Sequence, residues 1–246
     1  MGRFANTARM LFGGPAARVV RVLIWTNIVV FLLQLIGNLA GVQSLVDTFA
    51  LKPWRVTHEL AVWQFATYMF LHGGVFHILF NMITLYMFGN DLERYWGPVR
   101  FTRYYMITGI GAGFCSWLVA PGSLSPIIGA SGAIYGILLA YGLLYPNRIV
   151  YLNFLLPIKV KWMVLIMGAV AFLSSISESQ SGVAHIAHLG GMLVGYMMLR
   201  GQDWMQRLRQ YRERQRREKL KRQFEVYYGE VRRKIDRENK KGPTVH

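Results

Sequence analysis

The sequence has few charged residues and a single cysteine. Only 16% of its 246 residues are charged, whereas a typical soluble domain has about 25%. Cys115 is the only cysteine, which excludes a disulfide scaffold. Because 53% of the residues are hydrophobic, a chain that is disordered throughout is excluded as well.

The few charges are unevenly distributed. Residues 1–199 contain 12 Lys/Arg and 5 Asp/Glu, whereas residues 200–246 contain 16 Lys/Arg and 7 Asp/Glu. More than half of the net charge of +16 therefore lies in the C-terminal tail, which argues against a nucleic-acid-binding surface and a nucleic-acid partner. The first part has too few charges to cover a soluble globule, so we predict a polytopic membrane protein with a basic tail.

Six apolar stretches could cross a membrane. A helix needs about 20 residues to span a hydrocarbon core of about 30 Å. The first stretch is not interpreted as a signal peptide, because five more follow it. The second and fifth are short, and we expect their helices to extend into less apolar sequence. The stretches are residues 20–40, 77–90, 103–120, 127–145, 162–176 and 183–200.

The basic residues predict the orientation. With the N-terminus in the cytoplasm, all but two of the 28 Lys/Arg lie on the inner side, the exceptions being Lys52 and Arg55. The positive-inside rule then places both termini in the cytoplasm. The long outer loop, about 40–76, is rich in aromatic residues. It is interpreted either as a functional segment in the headgroup layer or as a loosely packed cap.

Polar side chains capable of catalysis occur near the predicted outer end of three spans. Singly, each side chain could pack between helices or form an interhelical hydrogen bond. Together they indicate a functional site. The helix from Ser131 to Tyr145 would be about 22 Å long, which leaves Ser131 roughly 8 Å below the outer surface. The side chains are those of His72, His77, Asn81, Ser131, Tyr135, His185 and His188.

Glycines four residues apart predict which spans pack together. Such pairs allow two helices to approach closely. His188 shares a helical face with the glycines of the sixth span, and Ser131 shares one with those of the fourth. Packing of these faces would bring Ser131 and His188 together. The pairs are Gly132 with Gly136 and Gly191 with Gly195.

Three motifs, in order and on the appropriate spans, resemble those of the rhomboid family of intramembrane serine proteases. Gly129-Ala-Ser131-Gly132 with Tyr135 resembles its GxSG and following tyrosine. His72-(x4)-His77-(x3)-Asn81 resembles its second-helix motif, and His188-(x2)-Gly191-(x3)-Gly195 resembles its HxxGxxxG. Trp63-Gln64 resembles the Trp-Arg of the family's first loop, with glutamine in place of arginine.

The resemblance implies an all-α, six-transmembrane-helix bundle over residues 20–200, with a cytoplasmic segment 1–19 before it. Residues 201–246 would form a basic tail that is helical or partly disordered and could contact anionic lipid. The implied setting is the bacterial inner membrane. The implied partners are the bilayer and transmembrane protein substrates, which would be cleaved near the outer surface.

The resemblance also implies the site. Ser131 would be the nucleophile and His188 the general base. His77, Asn81 and the Ser131 backbone N–H would form the oxyanion hole. Tyr135 would pack against the His188 ring. Supporting positions would be Gly129, Gly132, His72, Gly191 and Gly195. The chemistry needs no metal or other cofactor.

His185 is the competing base, but the positions three and seven residues after it are His188 and Met192, which are not the small residues that the motif needs. A Ser–His dyad is expected, because no acidic residue falls inside a predicted span. The acidic residues before the tail are Asp47, Glu59, Asp91, Glu93 and Glu178.

Three other functions are compatible with parts of the sequence. An intramembrane metalloprotease could use the histidine pairs, but HExxH and a carboxylate within a span are lacking. A transporter would need a charged relay across the spans, and the sequence contains none. A catalytically silent scaffold or chaperone that binds transmembrane clients would be favoured if Ser131 or His188 were replaced, and both are present.

Overall fold

The computed structural model describes residues 15–40, 44–152, 156–177 and 182–240, and most of them are helical. Most of the predicted N-terminal segment and Glu178 lie outside the described residues. Chain contacts define two units, Met1–Leu199 and Arg200–His246. The predicted domain bounds, 1–19, 20–200 and 201–246, stay predictions.

Ten α-helices and one strand pair occur in the described part of the chain. A 3₁₀ turn, Tyr68–Phe70, follows α4, and a π-helical turn, Leu85–Gly89, joins α5 to α6. The helices are α1 Arg18–Leu39, α2 Ser44–Phe49, α3 Pro53–Glu59, α4 Gln64–Thr67, α5 Val75–Thr84, α6 Asn90–Trp96, α7 Pro98–Val119, α8 Ser131–Leu144, α9 Val160–Ser177 and α10 Gly182–Lys240.

Each predicted span overlaps a helix or a helical run, although residues 127–130 of the fourth are not helical. The second lies on the run from α5 to α6, Val75–Trp96, and the fifth on α9, so both extend beyond their apolar cores as expected. By length and composition, one described helix, α1, could cross a membrane by itself. A second candidate is Gln64–Phe70 taken together with Val75–Trp96, although these two segments are bent by 97°. The count of six spans therefore stays a prediction.

The loop after α1 is packed, so the interpretation as a loosely packed cap is wrong for the described residues. Leu51 and Ile127 exchange two backbone hydrogen bonds of 3.0 and 2.8 Å. Tyr68 and Met69 are fully buried, and the Tyr68 hydroxyl donates to the carbonyl of Gly109 at 2.7 Å. These contacts hold the loop against both α7 and the segment that precedes α8.

An antiparallel hairpin between α8 and α9 was not predicted. Strand β1 is Ile149–Leu152 and strand β2 is Leu156–Lys159. Isoleucine, valine and tyrosine in β1 suit a strand, but a run of four residues is too short to reveal an alternating pattern. The hairpin leads directly into α9, whose first residue, Val160, donates to the carbonyl of Arg148 at 2.9 Å.

A buried carboxylate holds the start of α1. Glu93, on α6, accepts the backbone N–H groups of Val19 and Val20 at 2.9 and 2.8 Å. These donors lie in the first turn of α1 and have no acceptor within the helix. Glu93 lies 16 residues after His77, about 24 Å along a helix. It therefore lies at the opposite end of the run from the candidate site.

Candidate active site

Ser131 is the first residue of α8 and follows a non-helical stretch, 121–130. Gly129 has φ +120°, which favours glycine, and its N–H donates to the carbonyl of Tyr68 at 2.9 Å. Because the first N–H groups of a helix have no acceptor within it, they can donate hydrogen bonds to a bound anion. The nucleophile candidate therefore lies beside unused backbone donors.

His188, on α10, contacts Ser131, on α8. Its Nε2 lies 2.7 Å from the Ser131 Oγ, within hydrogen-bonding distance. The Tyr135 ring, one turn after Ser131, stacks on the His188 ring with centroids 4.3 Å apart and planes 2° apart. The His188 Nδ1 is buried and has no hydrogen-bond partner in the described part of the chain. Among the described residues, this imidazole is thus contacted by a stacked ring and not by a carboxylate.

Glycine contacts explain why α8 and α10 approach so closely. A Cβ on Gly191 would collide with the carbonyl oxygen of Gly132, and one on Gly195 would lie 3.4 Å from the Cα of Gly136. Tyr104, on α7, donates from its hydroxyl to the Gly136 carbonyl at 2.9 Å. Larger residues at these positions would separate the two helices that carry the serine and the histidine.

His77 faces Ser131 across Gly129. A Cβ built on Gly129 would lie 2.8 Å from the His77 Nε2 and 3.8 Å from the Ser131 Oγ, so this point lies between the two side chains. The backbone N–H of Gly73 donates to the His77 Nδ1 at 3.3 Å. A neutral imidazole that accepts at Nδ1 carries its proton on Nε2. The nitrogen that faces the serine is thus a donor.

Asn81 lies on the same face of α5 as His77 and is almost fully buried. Its Nδ2 donates to the carbonyl of His77 at 2.8 Å, within its own helix. One of its two amide N–H bonds is therefore used locally.

His72 and His185 also lie close to the site. His72 is buried, and neither of its ring nitrogens has a hydrogen-bond partner in the described ranges. Its ring lies edge-on to that of His77, with centroids 5.1 Å apart. His185 lies edge-on to His188 at 5.8 Å. Of the two histidines on α10, it is His188 that contacts the Ser131 hydroxyl.

Gln64 anchors the first loop, although the motif that Trp63-Gln64 resembles has arginine at the second position. Its side chain is fully buried. Its Oε1 accepts the backbone N–H of Lys52 at 3.0 Å, and its Nε2 donates to the carbonyl of Thr48 at 3.2 Å. The Trp63 indole N–H donates to the same carbonyl at 3.1 Å.

A hydrogen bond from Lys52, reinforced by its charge, lowers the pKa of the exposed Asp47 carboxyl in this loop.

Two residues near the site were not predicted from the sequence to take part in it. Gly73 is the donor to His77, and Gln34, on α1, is buried against the backbone of His72. A buried amide in an apolar helix is costly and invites a functional explanation. The sequence carries that signal at Gln34 and at Asn27, both of which lie within the first apolar stretch. No group of three or more His, Cys, Asp or Glu side chains suited to a metal occurs among the residues described.

Comparison with known proteins identifies the family. Rhomboid protease AarA of Providencia stuartii is 28% identical over 213 residues, 78% of this chain and 74% of AarA. Rhomboid protease GluP of Bacillus subtilis is 31% identical over 166 residues, 68% of this chain but 31% of GluP. RHOMBOID-like protein 1 of Arabidopsis thaliana is 36% identical over 151 residues, 61% of this chain and 36% of that protein.

The matched region thus spans about a third of the length of two of these relatives. The family model described as the Rhomboid domain matches residues 59–201, which is more than half of the chain and includes Ser131 and His188. The chain belongs to the rhomboid family of membrane proteins, which includes intramembrane serine proteases.

Proposed function

We propose that this protein is a serine endopeptidase that cleaves transmembrane segments of other proteins with a Ser131–His188 dyad. The observation that carries the proposal is the 2.7 Å contact between His188 Nε2 and Ser131 Oγ. A serine hydroxyl is a weak nucleophile unless an adjacent base accepts its proton. The stacked Tyr135 ring supports the same role, because it fixes the base in one orientation.

In the first half of the reaction, Ser131 Oγ attacks the scissile carbonyl carbon while its proton passes to His188 Nε2. The carbonyl π electrons move onto oxygen and give a tetrahedral oxyanion. When the oxyanion collapses, the C–N bond breaks and the imidazolium gives its proton to the leaving amine. The product is an acyl-enzyme ester on Ser131.

The second half repeats these proton transfers with water. His188 takes a proton from the water as the water oxygen attacks the ester carbon. It then returns the proton to Ser131 Oγ as the C–O bond to the serine breaks. The carboxylic acid product leaves, and both side chains regain their starting protonation states.

The oxyanion would be stabilised by three donors: the His77 Nε2–H, the remaining Asn81 amide N–H and the Ser131 backbone N–H. The space between His77 and Ser131, beside Gly129, supports this assignment. Fixed donors lower the barrier because they are already oriented when the charge develops. One oxyanion-hole donor is typically worth a factor of about 10²–10³ in kcat.

The substrate would be an apolar helix that unwinds locally before it is cut. An intact helix keeps each scissile carbonyl in a backbone hydrogen bond, and that bond is hard to replace in hydrocarbon. Residues with low helix propensity near the cut, glycine in particular, would ease the unwinding.

The helices of this protein would form a six-span bundle with both termini in the cytoplasm, as the distribution of Lys/Arg supports.

The tail would lie on anionic lipid. In the tail unit, Leu220, Phe224, Tyr227 and Tyr228 form an exposed stripe at helical spacing. Exposed cations lie near the stripe, including Lys219 and Lys221. A helix with an apolar stripe and flanking cations suits the surface of an anionic bilayer, where each cation contributes about 1 kcal/mol.

The experiment that tests the protease is cleavage of a reporter protein with one transmembrane segment, in detergent. Ser131→Ala and His188→Ala should each reduce cleavage to background while expression and melting temperature stay near those of the wild type. His185→Ala is the matched control on the same helix and should keep substantial activity. If all variants and the wild type bind the reporter but none cleaves it, the protein is a scaffold. If His185→Ala alone is inactive, the base is misassigned.

A further inference from the structure

Gln34, on α1, holds the backbone of His72 with both ends of its side-chain amide. Its Oε1 accepts the N–H of His72 at 3.0 Å, and its Nε2 donates to the carbonyl of His72 at 3.3 Å. The glutamine is almost fully buried, so neither bond is made in competition with bulk water. These bonds join residues that are 38 positions apart in the chain.

The backbone that Gln34 holds leads directly to His77. The carbonyl of His72 and the N–H of Gly73 belong to one peptide unit, which is planar. Gln34 bonds to the carbonyl side of this unit, and the N–H side donates to the His77 Nδ1 at 3.3 Å. Fixing the carbonyl therefore fixes the direction of the N–H that reaches the imidazole.

The local sequence makes such a restraint necessary. His72 is followed by Gly73 and Gly74, and α5 begins at Val75. Two successive glycines leave the backbone with wide conformational freedom. Without an external contact, the peptide unit between His72 and Gly73 could rotate and withdraw its N–H from His77.

We infer that Gln34 is a positioning residue that sets the tautomer of His77. With Gly73 donating to Nδ1, the proton of the neutral ring stays on Nε2, the atom that faces Ser131 across Gly129. Gln34 thus keeps the oxyanion donor in its donating form without touching the substrate. The inference rests on the proposed protease function, but the tautomer can be observed without catalysis.

The expected loss is smaller than the loss of a whole donor. In Gln34→Leu, His77 should populate both neutral tautomers, so the donor is present for only part of the time. Because kcat falls in proportion to the loss of the Nε2–H tautomer, we expect a loss of about twofold to tenfold, against the ~10²–10³ typical when one oxyanion donor is removed. KM should change less than twofold, because the interaction is made with the charge that develops during the reaction.

Asn27→Leu is the matched control. Asn27 is a buried amide on the same helix, and its Nδ2 donates to the carbonyl of Leu23 at 2.8 Å, within α1. Both substitutions remove a buried amide from α1, but only Gln34 bonds to His72. If Gln34→Leu folds poorly, Gln34→Asn keeps the amide on a side chain one methylene shorter, which cannot make both contacts.

The readouts are kcat and KM for the reporter, and nitrogen-15 spectra of the imidazoles, with the His77 signals identified by their absence in His77→Ala. The wild type and Asn27→Leu should show His77 protonated on Nε2, and both Gln34 variants should show mixed tautomers with lower kcat. Unchanged kcat and tautomer in the Gln34 variants, or equal kcat losses in Gln34→Leu and Asn27→Leu, would overturn the inference. A wild type without cleavage would refute the protease instead, while the spectra would still test the tautomer.

Discussion

Gly129→Ala tests whether the space between His77 and Ser131 is the oxyanion site. The added Cβ would lie 2.8 Å from both the Cε1 and the Nε2 of His77 and 3.8 Å from the Ser131 Oγ. A carbon atom cannot stay at 2.8 Å from a ring atom, so the imidazole must move. The substitution therefore fills the space next to the nucleophile and displaces the proposed donor.

Two effects of the substitution have different magnitudes. Residue 129 has φ +120°, and a non-glycine residue in such a conformation costs about 1–3 kcal/mol of stability. Displacing one oxyanion donor should lower kcat by a factor of about 10²–10³. If the methyl group also excludes the oxyanion itself, the loss in kcat should be larger still.

Gly97→Ala and Gly122→Ala separate these effects. Gly97 has φ +80°, and nothing lies within 4 Å of its Cβ position, so its substitution adds backbone strain without filling the site. Gly122 lies in the same non-helical stretch as Gly129 and also has open space around its Cβ position. Gly97→Ala should lose stability but keep kcat, and Gly122→Ala should keep both.

The assay is reporter cleavage over a range of substrate concentrations, with the melting temperature measured on the same samples. Gly129→Ala should lose at least ~10²-fold in kcat at temperatures where it remains folded. A folded Gly129→Ala with a kcat within threefold of the wild type would refute the reasoning. It would show that the space between the two side chains is not used in the reaction.

Three further predictions follow from the described contacts. His77→Ala and Asn81→Ala should each lower kcat by about 10²–10³ and leave substrate affinity unchanged; a large affinity loss with a small rate loss would indicate substrate binding instead. Gln64→Leu should lower the free energy of unfolding by about 1–3 kcal/mol, because the part-buried N–H of Lys52 loses its acceptor, whereas the carbonyl of Thr48 keeps the Trp63 indole N–H; an unchanged melting temperature would contradict this anchoring. Deleting residues 204–246 should preserve cleavage in detergent and an outside location for a reporter fused at Gly182, while binding to anionic vesicles falls, most clearly at low salt.

The sequence was sufficient to predict the contacts that short, periodic motifs make. The spacing of Gly191 and Gly195 after His188 predicted a face that packs on α8, and the two helices are in contact there. The helical segments at the second and fifth predicted spans, the run from α5 to α6 and α9, extend beyond their apolar cores, as expected. These predictions depend on helical periodicity alone, which can be counted directly from the sequence.

The sequence was insufficient where long-range contacts decide the structure. The pairing of Gln34 with His72 and of Gln64 with Thr48 depends on the path of the loop after α1, which no local pattern determines. The bond from Asn81 to the carbonyl of His77 is local instead, and their spacing of four residues in a helix allows it. Strand β1 was too short to be detected.

The most direct test of the central claim is covalent labelling with a fluorophosphonate probe, followed by location of the adduct by mass spectrometry. The 2.7 Å contact between His188 and Ser131 predicts one adduct, on the peptide that contains Ser131, in the native wild type. It should be absent after heat denaturation and in His188→Ala. An adduct on a different residue, or equal labelling of Ser131 in His188→Ala, would contradict the Ser131–His188 dyad.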